Sequence, residues 1–145
     1  MMGYRISEVE RIIGLPVTTI RYYDREGLLP NVERNEGGQR IFSDDDIHLL
    51  QTIECLKRTG MPIRDIRRFS HLLSEGDESL EERRQMFYER RDAVLAQKRA
   101  LESVLELIDR KCAFYDMAVE SGSANAVSWE AVDELLSRGA EGVVS

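Results

Sequence analysis

The stretch Ile6-Ser-Glu-Val-Glu-Arg-Ile-Ile-Gly-Leu-Pro-Val-Thr-Thr-Ile-Arg-Tyr-Tyr-Asp-Arg-Glu-Gly27 decides the fold class. Ile6, Val9, Ile12 and Ile13 recur at helical spacing and stop at Gly14, which predicts a short amphipathic helix with a C-terminal glycine. Leu15-Pro16 makes the turn. A proline lacks the backbone N–H that the first turn of a helix leaves unpaired anyway, so Pro16 can begin the next helix. Val17 to Arg25 reads as that helix, closed by Gly27. Two short helices joined by a tight Gly-Leu-Pro turn are a candidate helix-turn-helix, the second carrying Thr18, Thr19, Arg21, Tyr22 and Arg25. Short helix pairs occur in many folds, so this motif alone leaves DNA binding as one reading among several.

The next segment narrows the choice. Asn31-Val-Glu-Arg and Gln39-Arg-Ile-Phe42 flank Asn35-Glu36-Gly37-Gly38, whose glycines supply positive φ for a hairpin turn. Arg34 and Arg40 stand on either side of that turn. A helix-turn-helix followed at once by a two-stranded ribbon is a winged-helix arrangement, in which the helix enters the major groove and the ribbon lies along the adjacent backbone. The plainer reading is a solvated hairpin whose arginines pair with Glu33 and Glu36.

Further along, Ser43-Asp-Asp-Asp46 is a capping box that starts a helix through Ile47, Leu50, Ile53 and Leu56, ending near Gly60. Met61-Pro62 breaks the chain, and Ile63, Ile66, Phe69 and Leu73 predict another short amphipathic helix. Ser74 to Ser79 reads as a polar loop. From Ser79 to about Glu120 there is no glycine or proline. Leu80, Phe87, Val94, Leu101, Ile108 and Tyr115 fall at an unbroken seven-residue interval. Their companions are Arg84, Arg91, Lys98, Leu105, Cys112 and Val119, polar at first and apolar later. Such a helix is about 63 Å long, too long for a head of 74 residues to cover, so its stripe needs a partner. The heptad period makes that partner a second copy of the same helix, parallel or antiparallel, in a coiled-coil homodimer. The competing arrangement folds the helix back on its own head. After Gly122, Trp129 to Leu136 reads as a short helix, and Arg138 to Ser145 should fray.

The expected organisation is therefore mainly α. Residues 1–74 form a winged helix-turn-helix head with a small two-stranded wing, residues 75–121 a coiled-coil dimerisation helix, and residues 122–145 a C-terminal tail with a short helix and a possible effector region. The 145 residues, 42% apolar and 32% charged, fit one globular domain or a small domain with an appendage. No apolar run approaches the ~18 residues that would span a bilayer, and Met1 to Gly14 has no secretory pattern. Two cysteines 57 positions apart exclude a disulfide scaffold and fit a reducing cytoplasm. The net charge of −7 is unevenly spread. Residues 1–74 carry 11 basic and 11 acidic side chains, residues 75–145 carry 9 and 16, so an anion-binding site belongs in the first half.

The residues resemble those of MerR-type transcriptional regulators. Thr19-Ile-Arg-Tyr-Tyr-Asp-Arg-Glu-Gly-Leu-Leu-Pro30 looks like the signature of that family. Arg34, Gly38-Gln-Arg-Ile-Phe42, Asp46 and Leu56-Lys-Arg-Thr-Gly60 follow at the expected distances. The match covers residues 4 to about 73, and the coiled coil extends it to about 118. Cys55 before Leu-Lys-Arg, Ser74-Glu-Gly-Asp77, and the run from Gln97-Lys-Arg99 through Leu107-Ile-Asp-Arg-Lys111 to Tyr115-Asp116 look like the AdhR/NmlR subgroup, associated with aldehyde and electrophile stress. Two positions depart from the family: Gln39 stands where an aromatic is usual, and Pro16 replaces a serine N-cap.

The resemblance implies a homodimer on a pseudo-palindromic duplex, and activation by untwisting a promoter whose two recognition elements lie too far apart. RNA polymerase would then be affected only through the promoter. It places Arg34, Arg40 and Lys57 at the DNA backbone and makes Cys55 the sensor thiol. From the chemistry of the residues, Arg21 suits guanine or phosphate, the hydroxyls of Thr18 and Thr19 allow close approach, and Tyr22 can donate to a phosphate. Tyr23 packs inward. Cys55 falls more than about 120° from the Leu49/Ile53/Leu56 stripe, on the face of His48, Gln51 and Thr59, with Lys57 and Arg58 near. Nearby cations favour the nucleophilic thiolate; the alternative is a cysteine packed under the partner's long helix. Cys112, at a seam position, reads as buried.

Family members that sense metals carry a cysteine pair beyond the dimer helix. Cys112 has no second cysteine or histidine after it, so no metal and no cofactor are expected, and His48 and His71 read as ordinary surface or interface residues. No phosphate loop, nucleophile elbow or His-rich motif points to an enzyme. Two alternatives remain. One is the same regulator sensing a small apolar ligand near the C-terminal helix, where Trp129 and Leu136 could cover a pocket. The other is a coiled-coil adaptor that binds protein and no DNA. The expected location is the bacterial cytoplasm, at the nucleoid, with no membrane partner.

Overall fold

A computed structural model describes residues 3–141. In chain order it contains α1 (Ile6–Ile13), α2 (Val17–Arg25), β1 (Glu33–Arg34), β2 (Arg40–Ile41), α3 (Asp44–Arg58), α4 (Ile63–Ser74), a 3-10 turn (Gly76–Ser79), α5 (Leu80–Ser121), a second 3-10 turn (Ala124–Ala126) and α6 (Trp129–Glu141). The chain divides into two compact units after Val94.

In the first unit the apolar stripes of four short helices meet in one core. It contains Val9 of α1, Ile20 and Tyr23 of α2, Ile47, Leu49, Leu50, Ile53 and Leu56 of α3, and Ile66 and Phe69 of α4, together with Leu28, Leu29, Phe42 and Met61 from the connections. The expected helices are present, with three differences of detail. Ile12 is about half exposed, because Ile6, Val9 and Ile13 already define the buried face of α1. On α4, Leu72 takes the buried place expected of Leu73, one helical step away. The segment after α4 is a 3-10 turn and not an irregular loop. Its Ser79 is buried and donates to the carbonyl of Leu72 and, at 2.9 Å, to that of Gly76.

The capping box at Ser43 forms as its sequence dictates. The Asp46 N–H donates to Ser43 Oγ at 3.1 Å, and Asp46 Oδ2 accepts from the Ser43 N–H at 2.9 Å. Such a cap is worth about 1 kcal/mol, and it fixes where the wing ends and α3 begins. The wing is an antiparallel pair, with Glu33 opposite Ile41 and Arg34 opposite Arg40. Its turn needs one left-handed residue, Gly38 at φ +79, while Gly37 adopts an ordinary φ. Tyr4 adds a third short contact to this ribbon: its N–H and C=O pair with the C=O and N–H of Phe42, both at 2.8 Å.

Four hydrogen bonds from α3 and α4 hold α2 and its C-cap in the first unit. Tyr23 is fully buried, and its hydroxyl donates to Glu54 Oε1 while accepting from Lys57 Nζ at 2.7 Å. Burial, followed by the bond to Glu54, pushes the phenol well above its usual pKa. At the C-terminal end of α2, Arg67 of α4 donates through Nε to the Glu26 carbonyl at 2.5 Å and through Nη2 to the Glu26 carboxylate at 3.0 Å. The edge-to-face pair Phe69–Phe87, with centroids 5.3 Å apart, packs the start of α5 on α4.

The second unit is a helical hairpin made by the end of α5 and α6. Trp129 lies flat on Phe114, with centroids 4.5 Å apart and planes 20° apart, and the cations of Arg110 and Lys111 approach its ring at 4.5 and 4.6 Å. Arg110 also holds Asp133 through two parallel hydrogen bonds of 2.8 and 3.1 Å. Val132 and Ala118 are buried between the helices. The last helix is longer than its sequence suggests. It continues through Arg138 to Glu141 where fraying was expected, and residues 142–145 lie outside the described residues. On α5 the seam residues Leu80, Phe87, Val94, Leu101, Ile108 and Tyr115 are all exposed in the single chain. Cys112, a seam position whose expected burial is that of a dimer, is exposed in the single chain as well.

Two outcomes follow from these contacts. Tyr23→Phe removes a buried hydroxyl with two partners and should lower the unfolding free energy by about 1 kcal/mol, whereas Tyr22→Phe, on the exposed face, should leave urea denaturation unchanged. Equal effects would show that the Tyr23 hydroxyl does not anchor α2. In the second unit, the hydrogen bonds from Arg110 lower the Asp133 pKa from its usual 3.8. Folding lowers this pKa, so the pair stabilises the hairpin above the unfolded value and the contribution is lost as pH falls through the folded one. Trp129 is the sole tryptophan, so its fluorescence should stay constant from neutral pH to about 5 and change in more acid solution. In Asp133→Asn that acid step should be absent; a step that persists would exclude Asp133 as its source.

Candidate nucleic-acid interface

Of α2, one face is committed to the core through Ile20 and Tyr23. The opposite face carries Thr18, Arg21, Tyr22 and Arg25 at i, i+3, i+4 and i+7, and all four are exposed. Thr19 is half-buried at the edge of this face, its N–H bonded to the Pro16 carbonyl at 3.0 Å. Pro16 takes the N-cap position without a side-chain cap, so the first turn of α2 begins on a non-polar ring. Among the described residues, neither Arg21 nor Arg25 has a carboxylate partner. Arg25 belongs to this surface on geometry that its helical spacing already displays.

The wing arginines do not pair with Glu33 and Glu36. Arg40 donates through Nε to Asp24 Oδ2 at 2.5 Å, with both side chains about one-fifth exposed. The wing is thereby tied to α2, and part of the Arg40 charge is compensated. Arg34 donates through Nη1 to the Gly38 carbonyl at 2.7 Å, a contact across the hairpin that orients the guanidinium and leaves its charge uncancelled. Gln39 is exposed, and its N–H is held by Asn35 Oδ1 at 2.9 Å, so this position serves the turn.

Between α1, α2 and the wing lies an open cleft of about 410 Å³, lined by Arg5, Ile6, Ser7, Arg21, Arg34, Gly38, Gln39 and Arg40. No acidic side chain lines it. Sequence reasoning singled out Arg21, Arg34 and Arg40, and the structure brings them to one concavity. It missed Arg5, whose place beside the wing depends on the pairing of Tyr4 with Phe42, a contact with no local sequence signal.

Lys57, at the end of α3, is exposed along much of its length, but its ammonium group donates to the Tyr23 hydroxyl. Cys55 is exposed on α3, away from the buried stripe, as its angular position predicts. His48 and His71 are exposed. Among the described residues, no group of three or more His, Cys, Asp or Glu side chains is placed to hold a metal ion, and no helix is long and apolar enough to cross a membrane. Trp129, considered above as cover for a ligand pocket, has its face occupied by Phe114, and Leu136 is partly exposed.

Comparison with known proteins agrees with this geometry. The family model described as MerR HTH family regulatory protein matches residues 4–73. An uncharacterized HTH-type transcriptional regulator of Haemophilus influenzae is 41% identical over 133 residues, 92% of this chain and 98% of that one. The HTH-type transcriptional regulator AdhR of Bacillus subtilis is 32% identical over 90 residues, 62% of this chain and 64% of that protein. Among solved structures, HiNmlR, a MerR family regulator lacking the sensor domain and crystallised bound to promoter DNA, is 42% identical. It aligns with a TM-score of 0.78 over 87% of this chain and all of that one. The exposed face of α2, the wing fastened beside it and these likenesses lead to one conclusion: the chain belongs to the MerR family of DNA-binding transcriptional regulators.

Proposed function

We propose that this regulator works as a homodimer that distorts promoter DNA in response to a signal. Residues 1–74 act as the DNA-binding head, 75–121 as the dimerisation helix and 122–145 as the tail. The observation that carries the reading is the outward face of α2, whose Arg21 and Arg25 have no carboxylate partners among the described residues, beside an arginine-lined wing. Arg21 reads base edges or phosphate from the major groove. Thr18, at the start of α2, and Thr19, at the edge of its face, make short polar contacts, and Tyr22 donates to phosphate. Arg34, Arg40 and Lys57 contact the backbone. For Arg40, the bond from Nε to Asp24 leaves both Nη groups as donors. For Lys57, the bond to Tyr23 orients an ammonium group with two further donors.

Dimerisation is supported by the heptad stripe, since six large apolar or aromatic side chains at seven-residue spacing all stay exposed among the described residues, even Phe87, which touches Phe69. Two heads on a dyad then face two half-sites of a duplex, and the similar HiNmlR is bound to promoter DNA. In this reading RNA polymerase responds to the altered promoter geometry, the site of action is the bacterial cytoplasm at the nucleoid, and no catalytic step is required. The signal is electrophile modification of Cys55. Its exposure on α3, next in sequence to the Glu54 carboxylate that holds Tyr23 of α2, supports this.

Two experiments test these steps. The Arg21→Ala/Arg40→Ala protein should lose retention on duplex DNA while its mass by analytical ultracentrifugation stays that of a dimer. Wild-type affinity should fall steeply as salt rises. Retention that survives the substitutions, or is insensitive to salt, would instead support an adaptor without DNA binding. For the signal, an aldehyde should modify Cys55 several-fold faster than Cys112 at neutral pH, read by peptide mass spectrometry. Cys55→Ser should keep DNA retention but lose the transcriptional response to the aldehyde. An unreactive Cys55, or an unchanged response in Cys55→Ser, would exclude the thiol as sensor and move the search to the α5–α6 hairpin.

A further inference from the structure

We propose that Asp24 is a specificity-determining residue: by holding Arg40 of the wing from α2, it lowers affinity for DNA of arbitrary sequence and sharpens discrimination between duplexes. The inference rests on the DNA-binding reading above, in which Arg40 meets the backbone, and it gives a role to an acid that touches no DNA in that reading.

An acid on a helix that faces phosphate opposes binding, and Asp24 is the one acid of α2. Its Oδ2 accepts from Arg40 Nε at 2.5 Å, and both side chains are about one-fifth exposed. The hairpin is closed without this bond. Arg34 donates to the Gly38 carbonyl, the Gln39 N–H to Asn35 Oδ1, and Tyr4 pairs with Phe42 through two backbone hydrogen bonds. Arg21 and Arg34 line the same cleft without a carboxylate partner among the described residues. Compensation is thus confined, among these three, to the arginine that joins the wing to α2.

Two effects follow from such a pair. At a distance its charges largely cancel, so Arg40 adds less to the attraction that any phosphate backbone exerts. At contact, the bond through Nε fixes the guanidinium plane and leaves both Nη groups as donors in set directions. On DNA of arbitrary sequence the contacts are electrostatic and tolerate many registers, so the first effect dominates and binding is weakened. On a preferred duplex the base contacts of α2 set the register, and a wing already aligned with α2 meets the backbone there without further ordering. The second effect then offsets the first. A group that weakens the wrong complex more than the right one raises specificity.

The test measures the affinity of the full chain, and its salt dependence, for a random-sequence duplex and for a duplex that wild type enriches from a random pool. Asp24→Asn keeps an oxygen acceptor of the same shape for Arg40 and removes the charge. It should bind the random duplex several-fold more tightly, with a salt slope steeper by up to about 0.9 for a phosphate that Arg40 then neutralises. It should gain less on the enriched duplex, so that the ratio of the two affinities falls several-fold at an unchanged melting temperature. Glu36→Gln removes an exposed acid of the wing turn and should move both affinities together, leaving the ratio as it was. In an Arg40→Gln background, Asp24→Asn should no longer change the ratio. If Asp24→Asn keeps the wild-type ratio, or Glu36→Gln lowers it equally, the role of Asp24 is wrong while the DNA-binding reading stands. Weaker binding to both duplexes with a lower melting temperature makes Asp24 a structural tether and overturns the proposal. A wild type that binds DNA but enriches no duplex overturns it as well. If wild type shows no salt-dependent binding at all, the DNA-binding reading fails and this role with it.

Discussion

The burial of Tyr23 is the constraint on which the head depends. A phenol taken wholly out of water needs partners for its hydroxyl, and the chain supplies two from α3, Glu54 and Lys57. Once that side chain is fixed, the rotation of α2 about its axis is fixed with it. Thr18, Arg21, Tyr22 and Arg25 then have only the outward face to occupy. Arg67 sets the other end of the helix by holding Glu26 through both its carbonyl and its carboxylate. A short helix has little intrinsic stability, so these tertiary contacts, and not propensity, hold the outward face of α2 in place.

Electrostatics are organised locally and not by net charge. The chain as a whole is acidic, yet the head is neutral and its cleft is lined by arginines. At physiological ionic strength charges separated by more than about 8 Å are largely screened. No acidic side chain lines the cleft, so its local charge is set by its own arginines. The acids interleaved among the early arginines have specific tasks. Asp24 ties the wing to α2 through Arg40, Glu26 receives Arg67, and Glu8 caps the first turn of α1. By holding Arg40 and Arg67, Asp24 and Glu26 leave Arg5, Arg21 and Arg34 as the uncompensated charges of the cleft.

Much of this was legible in the residues, for identifiable reasons. The helices were readable because their stops are explicit: Gly14, Pro16, Gly27, the Ser43 cap and Pro62. The exposed position of Cys55 followed from helical geometry alone. What escaped was non-local. The pairing of Tyr4 with Phe42 joins residues 38 positions apart and carries no turn signal, so Arg5 was not read as part of the site. The partner of Arg40 was sought among its neighbours in the hairpin and found on α2. The length of α6 was underestimated because fraying was expected from Arg138 onward, whereas packing of Trp129 on Phe114 and the Arg110–Asp133 pair stabilise the helix from its other end.

In the proposed dimer, two such heads joined by the long helix read duplex DNA together. Hydroxyl-radical footprinting of the full chain, on duplexes that it enriches from a random pool, addresses this directly. Two protected segments related by a dyad are expected, their centres about one helical turn, ~10 base pairs, or a multiple of it apart. A single protected segment, or a pool in which no duplex is enriched, would contradict it.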